Sequence, residues 1–388
     1  MRLESLAPLL TRNGPWATVY TDTARATESA GAERRLTARA AGDELIRQGA
    51  DPRTAEAVVE RLAALSPNEE PHGAAVFATE GEVVLGLPLT EPPERARVSW
   101  SALPHLGPLP GLMRENPLCL TARIDRTGAD FELRDAYGTR PAGQALGEDW
   151  PVHRTASGDP SERHFQLRVE NTWESNAGLI ADAISQRFQE TDADVLVLSG
   201  DPRERRAVHD RLPEPLREAA IETSHGGRAA GADSELLDRD TRRAREEFTE
   251  RHTAEALAGL RAGHAAGAAP APATGAGTAE TVPALVEAAR EHRVGTLLMR
   301  PGGPDREQEV WVGPTADQIG VRRSELQYLG APDPAAARAD DALLRCAVAT
   351  DAEVLVADTE EDLPVGGLGA LLRWTYDENP AGPAPGTS

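Results

Sequence analysis

At 388 residues and 40% apolar composition, the chain is too long for a single hydrophobic core, and two or three domains are expected. Its 63 acidic residues against 41 basic ones give a net charge of −22, and no third of the sequence is basic, which argues against a surface built for general nucleic-acid binding. The opening MRLESLAPLL lacks the basic start and long apolar run of a secretion signal and no segment reaches membrane-spanning length, so a cytoplasmic protein with no membrane or DNA partner is expected.

All the basic residues are arginine. Beside so much Ala, Gly and Pro, this reads as the codon bias of a GC-rich genome, and arginine abundance is not in itself an RNA-binding signal even though arginine suits phosphate well. The two cysteines, Cys119 and Cys346, lie far apart in apolar runs and read as small buried hydrophobes. No HExxH or paired Cys/His spacing occurs, so neither a metal nor another cofactor is called for.

The first unit, residues 1–115, is read as an N-terminal α/β domain. WATVYTDT, Trp16 to Thr23, is a β-branched and aromatic strand. Helices follow over Ala32–Gln48 and Pro52–Leu65, and AAVFATEGEVVLGL forms a hairpin around Glu80-Gly81. The proline-rich LPHLGPLPGLMRENP, Leu103 to Pro117, has linker chemistry and closes the domain.

The second unit, residues 116–235, opens with a hairpin turning at Arg126-Thr127-Gly128. Residues 138–161 are glycine, proline and polar residues and read as exposed. A long helix over Glu162–Gln189 precedes DVLVLSG, a buried strand. Asp201-Pro202 starts the next helix as cap and first residue, and AAIETSHGG returns a strand and a glycine turn. The alternation argues for a mixed sheet flanked by helices.

A charged, solvated connecting helix from about Ser234 to Arg261 opens the third unit, residues 236–388. A low-complexity loop over 262–280 follows and is read as mobile. TVPALVEAAREHRVGTLLM gives helix then strand, EVWVG a strand, AAARADDALLRCAVATDAEVLVAD another helix–strand pair, and LLRWTY the last strand, a compact α/β sandwich with PAGPAPGTS as a disordered tail. Three glycines, Gly366, Gly367 and Gly369, precede that last strand, where they mark a tight turn or a close backbone approach.

Catalysis is not legible directly. Ser199-Gly200-Asp201 is not GxSxG, and DVLVLSGDPRERR carries neither a phosphate-loop pattern nor GxGxxG. His225-Gly226-Gly227 fits a positioned general base or a plain glycine turn, and Asp159 and Glu162 fit a carboxylate pair or solvated loop acids.

VGGLGALLRWTY resembles the end of the last domain of the archaeal and eukaryotic class-one peptide release factors and Pelota, where a glycine-rich apolar loop leads into a strand ending Leu-Arg-aromatic. TVPALVEAAREHRVGTLLM resembles the entry to that domain. The hairpin, long loop, long helix, DVLVLSGDPRERR and IETSHGG resemble the middle domain in order, so the similarity spans about residues 116–376. The first unit does not match the decoding domain of those factors and carries no Asn-Ile-Lys-Ser motif. The combination is similar to the bacterial relatives of release factors, the Balon-like ribosome hibernation factors.

What the resemblance implies is a ribosome partner, with the chain in the aminoacyl-tRNA site against rRNA, delivery by elongation factor Tu under stress, and the middle loop near the peptidyl-transferase centre. The loop tip of that family falls near Gly158-Asp159-Pro160, and His153, Arg154, Arg163 and His164 are the RNA-contact candidates around it. Release factors carry Gly-Gly-Gln at the tip. Here none occurs, and the one Gly-Gln, Gly143-Gln144, comes too early. Without that water-positioning amide no catalytic residue is assigned, and a non-enzymatic ribosome binder is expected. Asp159 would also bring negative charge to an RNA-rich centre. The alternatives are a rescue factor that hydrolyses peptidyl-tRNA or cleaves tRNA through Gln144 or His153, and an RNA-processing adaptor using the last domain alone.

Overall fold

β-Branched and aromatic residues make up most of β1, Trp16–Asp22, six of whose seven residues are buried. The structure is a computed structural model and describes residues 3–23, 30–65, 73–113, 116–147, 161–228, 234–266, 277–357 and 365–374. Residues 1–115 and 252–388 together make one unit, and residues 116–251 make a second.

In the first unit β1 is followed by α1 (Ala30–Arg47), α2 (Pro52–Ala63), β2 (Gly73–Thr79), β3 (Glu82–Leu89), β4 (Arg97–Ser101) and the short α3 (Leu109–Leu112). The four strands form an antiparallel sheet in the order β3-β2-β1-β4. Glu80 and Gly81 both take positive φ, 53° and 83°, as a two-residue turn between β2 and β3 requires. The Asp51 carboxylate accepts from Thr54 N at 3.0 Å, capping α2 ahead of Pro52. One sheet face packs on the helices through Val19, Val76, Leu45, Val58 and Leu62.

The other face, with Trp16, Tyr20 and Phe77, is covered by the proline-rich segment. Leu103, Leu106, Leu109 and Met113 are buried in one cluster with Leu285, Val286 and Leu343. That segment was expected to be a linker on its proline and glycine content. Its leucines make it core, and β4 just before it, RVSWS, alternates polar and apolar residues over only five positions, too few to announce it.

The second unit contains β5 (Cys119–Asp125), β6 (Gly128–Asp135), β7 (Gly138–Leu146), α4 (Ser161–Thr191), β8 (Val195–Gly200), α5 (Pro202–His209), α6 (Glu214–Ala219), β9 (Ile221–Thr223) and the first part of α7 (Ser234–Ala266). Its sheet runs β7-β6-β5-β8-β9, with β5, β8 and β9 parallel. Residues 138–146, expected to be irregular, pair along β6 as an edge strand, with a register shift that accommodates Pro141. α4 sets Ala177, Ile180 and Ile184 against Leu120, Phe131 and Leu198. On the opposite face Cys119, Val195 and Val197 meet Leu237 and Ala244 of α7. Burial pushes the Cys119 thiol up to about 11, which makes it a poor nucleophile.

The first unit resumes with β10 (Thr278–Ala279), α8 (Val282–Arg290), β11 (Val294–Met299), β12 (Glu309–Val312), β13 (Ile319–Gly320), α9 (Arg323–Tyr328), β14 (Ala335–Arg338), α10 (Ala339–Ala349), β15 (Glu353–Val356) and β16 (Leu368–Leu372). These strands form two sheets, β10-β16-β11-β15, in which β11 and β15 are parallel, and β13-β12-β14. Three expectations need adjusting. α7 continues to Ala266, and its Ala256, Leu257 and Leu260 are buried on Leu298 and Leu355, so its end is packed and not merely solvated. Of the loop expected over 262–280, residues 262–266 are helical and 278–279 are strand, while 267–276 lie outside the described residues, as does the tail PAGPAPGTS. The closing strand starts at Leu368, so Gly369 lies within it opposite Leu298.

A buried charge network fastens α10 to the proline-rich segment. Both Asp341 oxygens lie 3.0–3.1 Å from His105 Nδ1, and Gly107 N donates to Asp341 at 2.9 Å. Asp340 receives a two-pronged bond from Arg338, Nε and Nη2 each at 2.9 Å, and Arg306 Nε stands 3.4 Å away. His105, Asp340 and Asp341 are spaced as metal ligands are. Arg338 already occupies both Asp340 oxygens, however, and a second cation stands beside it, so the arrangement is an ion-pair network.

Candidate functional site

Open α/β sheets bind ligands outside the carboxyl ends of their parallel strands. In the second unit those ends are Asp125, Gly200 and Thr223, closing β5, β8 and β9. Asp125 Oδ1 gathers the β5–β6 turn by accepting from Thr127 N (2.7 Å), Thr127 Oγ1 (2.8 Å), Gly128 N (3.0 Å) and Arg228 Nη1 (2.9 Å). Two neighbours hold the turn's backbone: Gly147 N donates to Thr127 O at 2.9 Å, and Asn176 Nδ2 of α4 donates to Arg126 O at 3.3 Å. A side chain at position 147 would overlap the Asn176 amide, so this close approach requires glycine. The chain thus leaves the sheet at Gly147 from an anchored point.

The titratable pair at this edge is His225 and Asp240. Asp240 Oδ2 lies 2.6 Å from His225 Nδ1 and accepts from Thr223 Oγ1, also at 2.6 Å. With Nδ1–H directed at the carboxylate, the neutral ring carries its lone pair on Nε2, which has no hydrogen-bond partner among the described residues. The imidazole is 37% exposed, so a solute can reach it. This is the geometry of a general base. It is not an acyl-transfer triad: the Ser199 hydroxyl is buried and donates to the His225 backbone carbonyl at 2.7 Å, not to the ring. The arginines alongside are structural. Arg205 bonds Glu222 at 2.8 Å and the carbonyls of Gly200 (3.2 Å) and Thr223 (2.6 Å), and Arg206 bonds Glu222 at 3.0 Å.

The carboxylates share one electrostatic bias. The Asp240 carboxyl is held below its ordinary range by bonds from Thr223 and His225. Burial pushes Asp125 and Glu222 up, but bonds from Thr127 and Arg228 in the first case, and from Arg205 in the second, outweigh it and leave both lowered. A carboxylate with a depressed folded pKa stabilises above its unfolded value, and that stability is lost as pH falls through the folded one. Amide protection of residues 125–128 and 221–228, followed by hydrogen exchange between pH 5 and pH 3, is therefore expected to fall below about pH 4, where unfolded carboxylates protonate. Constant protection down to pH 3 would remove these three groups as the anchors of the edge.

Of the sequence-predicted residues, His153, Arg154, Gly158, Asp159 and Pro160 lie outside the described residues, and Arg163 and His164 fall in the first turn of α4, where only the backbone is described. Gln144 lies within β7, paired with Asp130, and Gly143 before it has φ 107°. Gly366 and Gly367 form the turn before β16: Gly367 O accepts from Arg300 N at 2.9 Å, and Gly366 O accepts from Asp305 N at 3.1 Å. The His225 turn was weighed from the sequence, but its partner Asp240 was missed. Asp240 sits in RDTRRAREEFTERH, where one acid among many carries no distinguishing signal.

Residues 118–266 match the model of bacterial archaeo-eukaryotic release factor family 2. Along almost the whole chain, the proteins Rv2629 and MT2704 of Mycobacterium tuberculosis are each 30% identical over 384 residues, covering 96% of this chain and 97% of theirs. The chain belongs to the bacterial archaeo-eukaryotic release factor family. It is a bacterial relative of the class-one release factors and Pelota. Among solved structures, the archaeal termination factor aRF1 overlaps with a TM-score of 0.26 and 13% identity, covering 96% of this chain and 99% of that one. Archaeoglobus fulgidus Pelota gives 0.32 and 14%, over 78% and 80%. An archaeal Pelota from a ribosome-bound model with ABCE1 gives 0.39 and 15%, over 96% and 94%. These overlaps are low, and membership of the family rests on the sequence matches.

Proposed function

We propose that this release-factor relative associates with the ribosome, occupying the aminoacyl-tRNA site as a hibernation or stress factor without releasing peptide. The observation that carries the reading is a family member's middle unit without the family's hydrolytic tip. No Gly-Gly-Gln occurs, and the one Gly-Gln is paired into β7, so its amide lies in a strand instead of at a loop tip that could position water at an ester. In this reading the segment 150–165 meets rRNA phosphates through Arg154 and Arg163, with His153 and His164 beside them, and protein partners take the acidic faces. Elongation factor Tu is the proposed delivery partner.

Sedimentation of stationary-phase lysate tests the association: the protein should travel with ribosomes, and a wholly soluble distribution under every growth condition would end the reading. Arg154→Glu/Arg163→Glu is expected to weaken ribosome affinity roughly tenfold or more and to flatten its logarithmic salt dependence by about two contacts. The melting temperature should barely change. Ribosome affinity indifferent to the double change would remove the segment 150–165 as a contact.

The rescue-hydrolase reading has one specific support, the partly exposed His225–Asp240 pair. Peptidyl-tRNA-loaded ribosomes separate the two readings, because only a hydrolase releases peptide. Release that disappears in His225→Ala would transfer the case to that pair, whereas release abolished at Gln144 or His153 would transfer it to the residue changed.

A further inference from the structure

In a chain of net charge −22, one recess of the first unit collects four arginines. Its volume is 670 Å³, within the roughly 300–1,000 Å³ range of small-molecule sites. Met299 and Val356, the last residues of the parallel strands β11 and β15, line it, so it opens at the carboxyl ends of parallel strands, where open α/β sheets take their ligands. Its walls are largely proline and glycine backbone, stiff and poor in side chains.

The wall Pro301-Gly302-Gly303-Pro304 is braced from behind by the glycine turn before β16. A Cβ at Gly303 would stand 2.6 Å from Gly366 O, and one at Gly367 would stand 2.7 Å from Gly303 Cα. Two glycine turns lie directly against each other, and no side chain fits between them.

The charges divide into an inner and an outer pair. Inside, Arg338 and Arg306 are matched by Asp340, with Glu307 3.2 Å from Arg338 and Asp341 held by His105. Arg306 also donates to Gly107 O, and its buried Nε, 3.4 Å from Asp340, has no well-directed hydrogen bond among the described residues. At the mouth, Arg95 and Arg97 are exposed and their side chains have no hydrogen-bond or ion-pair partner among the described residues, and Glu94 is the nearby acid lining the same space. The uncompensated cations are therefore the outer two. No Phe, Tyr or Trp lines the recess, and its one imidazole, His105, is mostly buried and held by Asp341, so no open ring face is offered to a nucleobase. The chain's net charge of −22 repels a long polyanion, while a small anion meets only the local field.

We propose that this recess binds a small anion carrying at least two phosphate charges, of the diphosphate type, gripped by Arg95 and Arg97 with Arg306 at the floor. Guanidinium groups suit phosphate through paired, charge-assisted bonds. The assignment is independent of the ribosomal reading.

The test is calorimetric titration of the full chain with inorganic pyrophosphate at low salt, with a short single-stranded RNA in parallel. Arg95→Ser/Arg97→Ser, both at exposed positions, is expected to weaken pyrophosphate binding at least tenfold while leaving the ligand-free melting temperature unchanged. Arg47→Ser, an exposed arginine in the last turn of α1 that is not among the recess lining, should bind as the unmodified chain does. Absence of pyrophosphate binding overturns the proposal. So does an equal loss in Arg47→Ser, which would reveal general charge attraction. RNA bound through Arg95 and Arg97 with no binding of pyrophosphate overturns the small-anion assignment in favour of a nucleic-acid backbone.

Discussion

Gly367→Val is expected to destabilise the first unit by about 3 kcal/mol or more, from the left-handed backbone and a direct steric conflict. Gly367 has φ 75°, a region that is a genuine outlier for a β-branched residue, and its added Cβ would press on the Gly303 backbone at 2.7 Å. Backbone cannot swing aside as a side-chain tip does, so either the turn before β16 or the Pro301–Pro304 wall must move. For a unit of this size, that loss corresponds to a fall in melting temperature of roughly 6–12 °C. Gly302→Ala is the control: φ is 78°, almost the same, but nothing lies within 4 Å of the added Cβ. It should cost only the conformational term, about 1 kcal/mol. If the two substitutions destabilise equally, the close approach of the turns carries no weight, and if Gly367→Val leaves stability unchanged, the bracing role is gone.

This contrast shows what a sequence can and cannot carry. Clustering of Gly366, Gly367 and Gly369 announced a turn or a close approach, because glycine has few other uses ahead of an apolar strand. It could not name the opposite surface, since Gly303 lies more than sixty residues away and proximity across the fold leaves no local trace. Strong local patterns were legible: the β2–β3 hairpin at Glu80-Gly81, the Asp201-Pro202 start of α5, whose cap accepts from Arg203 N at 2.9 Å, and the buried strand VLVLSG. The failures share one cause. Residues 138–146 and the segment around Leu109 are rich in turn formers, and turn chemistry outweighed strand pairing and leucine burial in the local reading. Tertiary context decided both. The same limit hid the candidate sites: Asp240 and Arg97 are inconspicuous in a chain with 27% charged residues until the fold sets one beside His225 and the other at the mouth of a recess.

The second large effect is expected at Asp340. This carboxylate is fully buried, accepts two bonds from Arg338 and one from Asp341 N at 2.9 Å, and faces Arg306. Asp340→Ala leaves the mostly buried Arg306 without its nearest counter-charge, the half-buried Arg338 with only Glu307 and the more distant Asp341, and Asp341 N without an acceptor. Removing one member of a buried ion pair costs about 3–5 kcal/mol, more than the intact pair contributes, because the remaining charge stays desolvated. Asp340→Asn keeps an oxygen for Asp341 N and part of the Arg338 bond, so it should cost less, and it remains folded for a second measurement. That measurement has the opposite sign. Both changes release Arg338 and Arg306 toward the recess they line, so pyrophosphate should bind Asp340→Asn more tightly than the unmodified chain even as stability falls. Asp341 adds a pH signature. Burial raises its pKa, only partly offset by His105, so the stability it brings is present below the unfolded carboxylate pKa near 4 and is lost as pH rises through the higher folded value. Asp341→Asn, which cannot ionise, should abolish that loss and flatten this part of the stability profile. Stability that falls while pyrophosphate affinity also falls in Asp340→Asn would separate the network from the recess and leave it as a fastening of α10 alone.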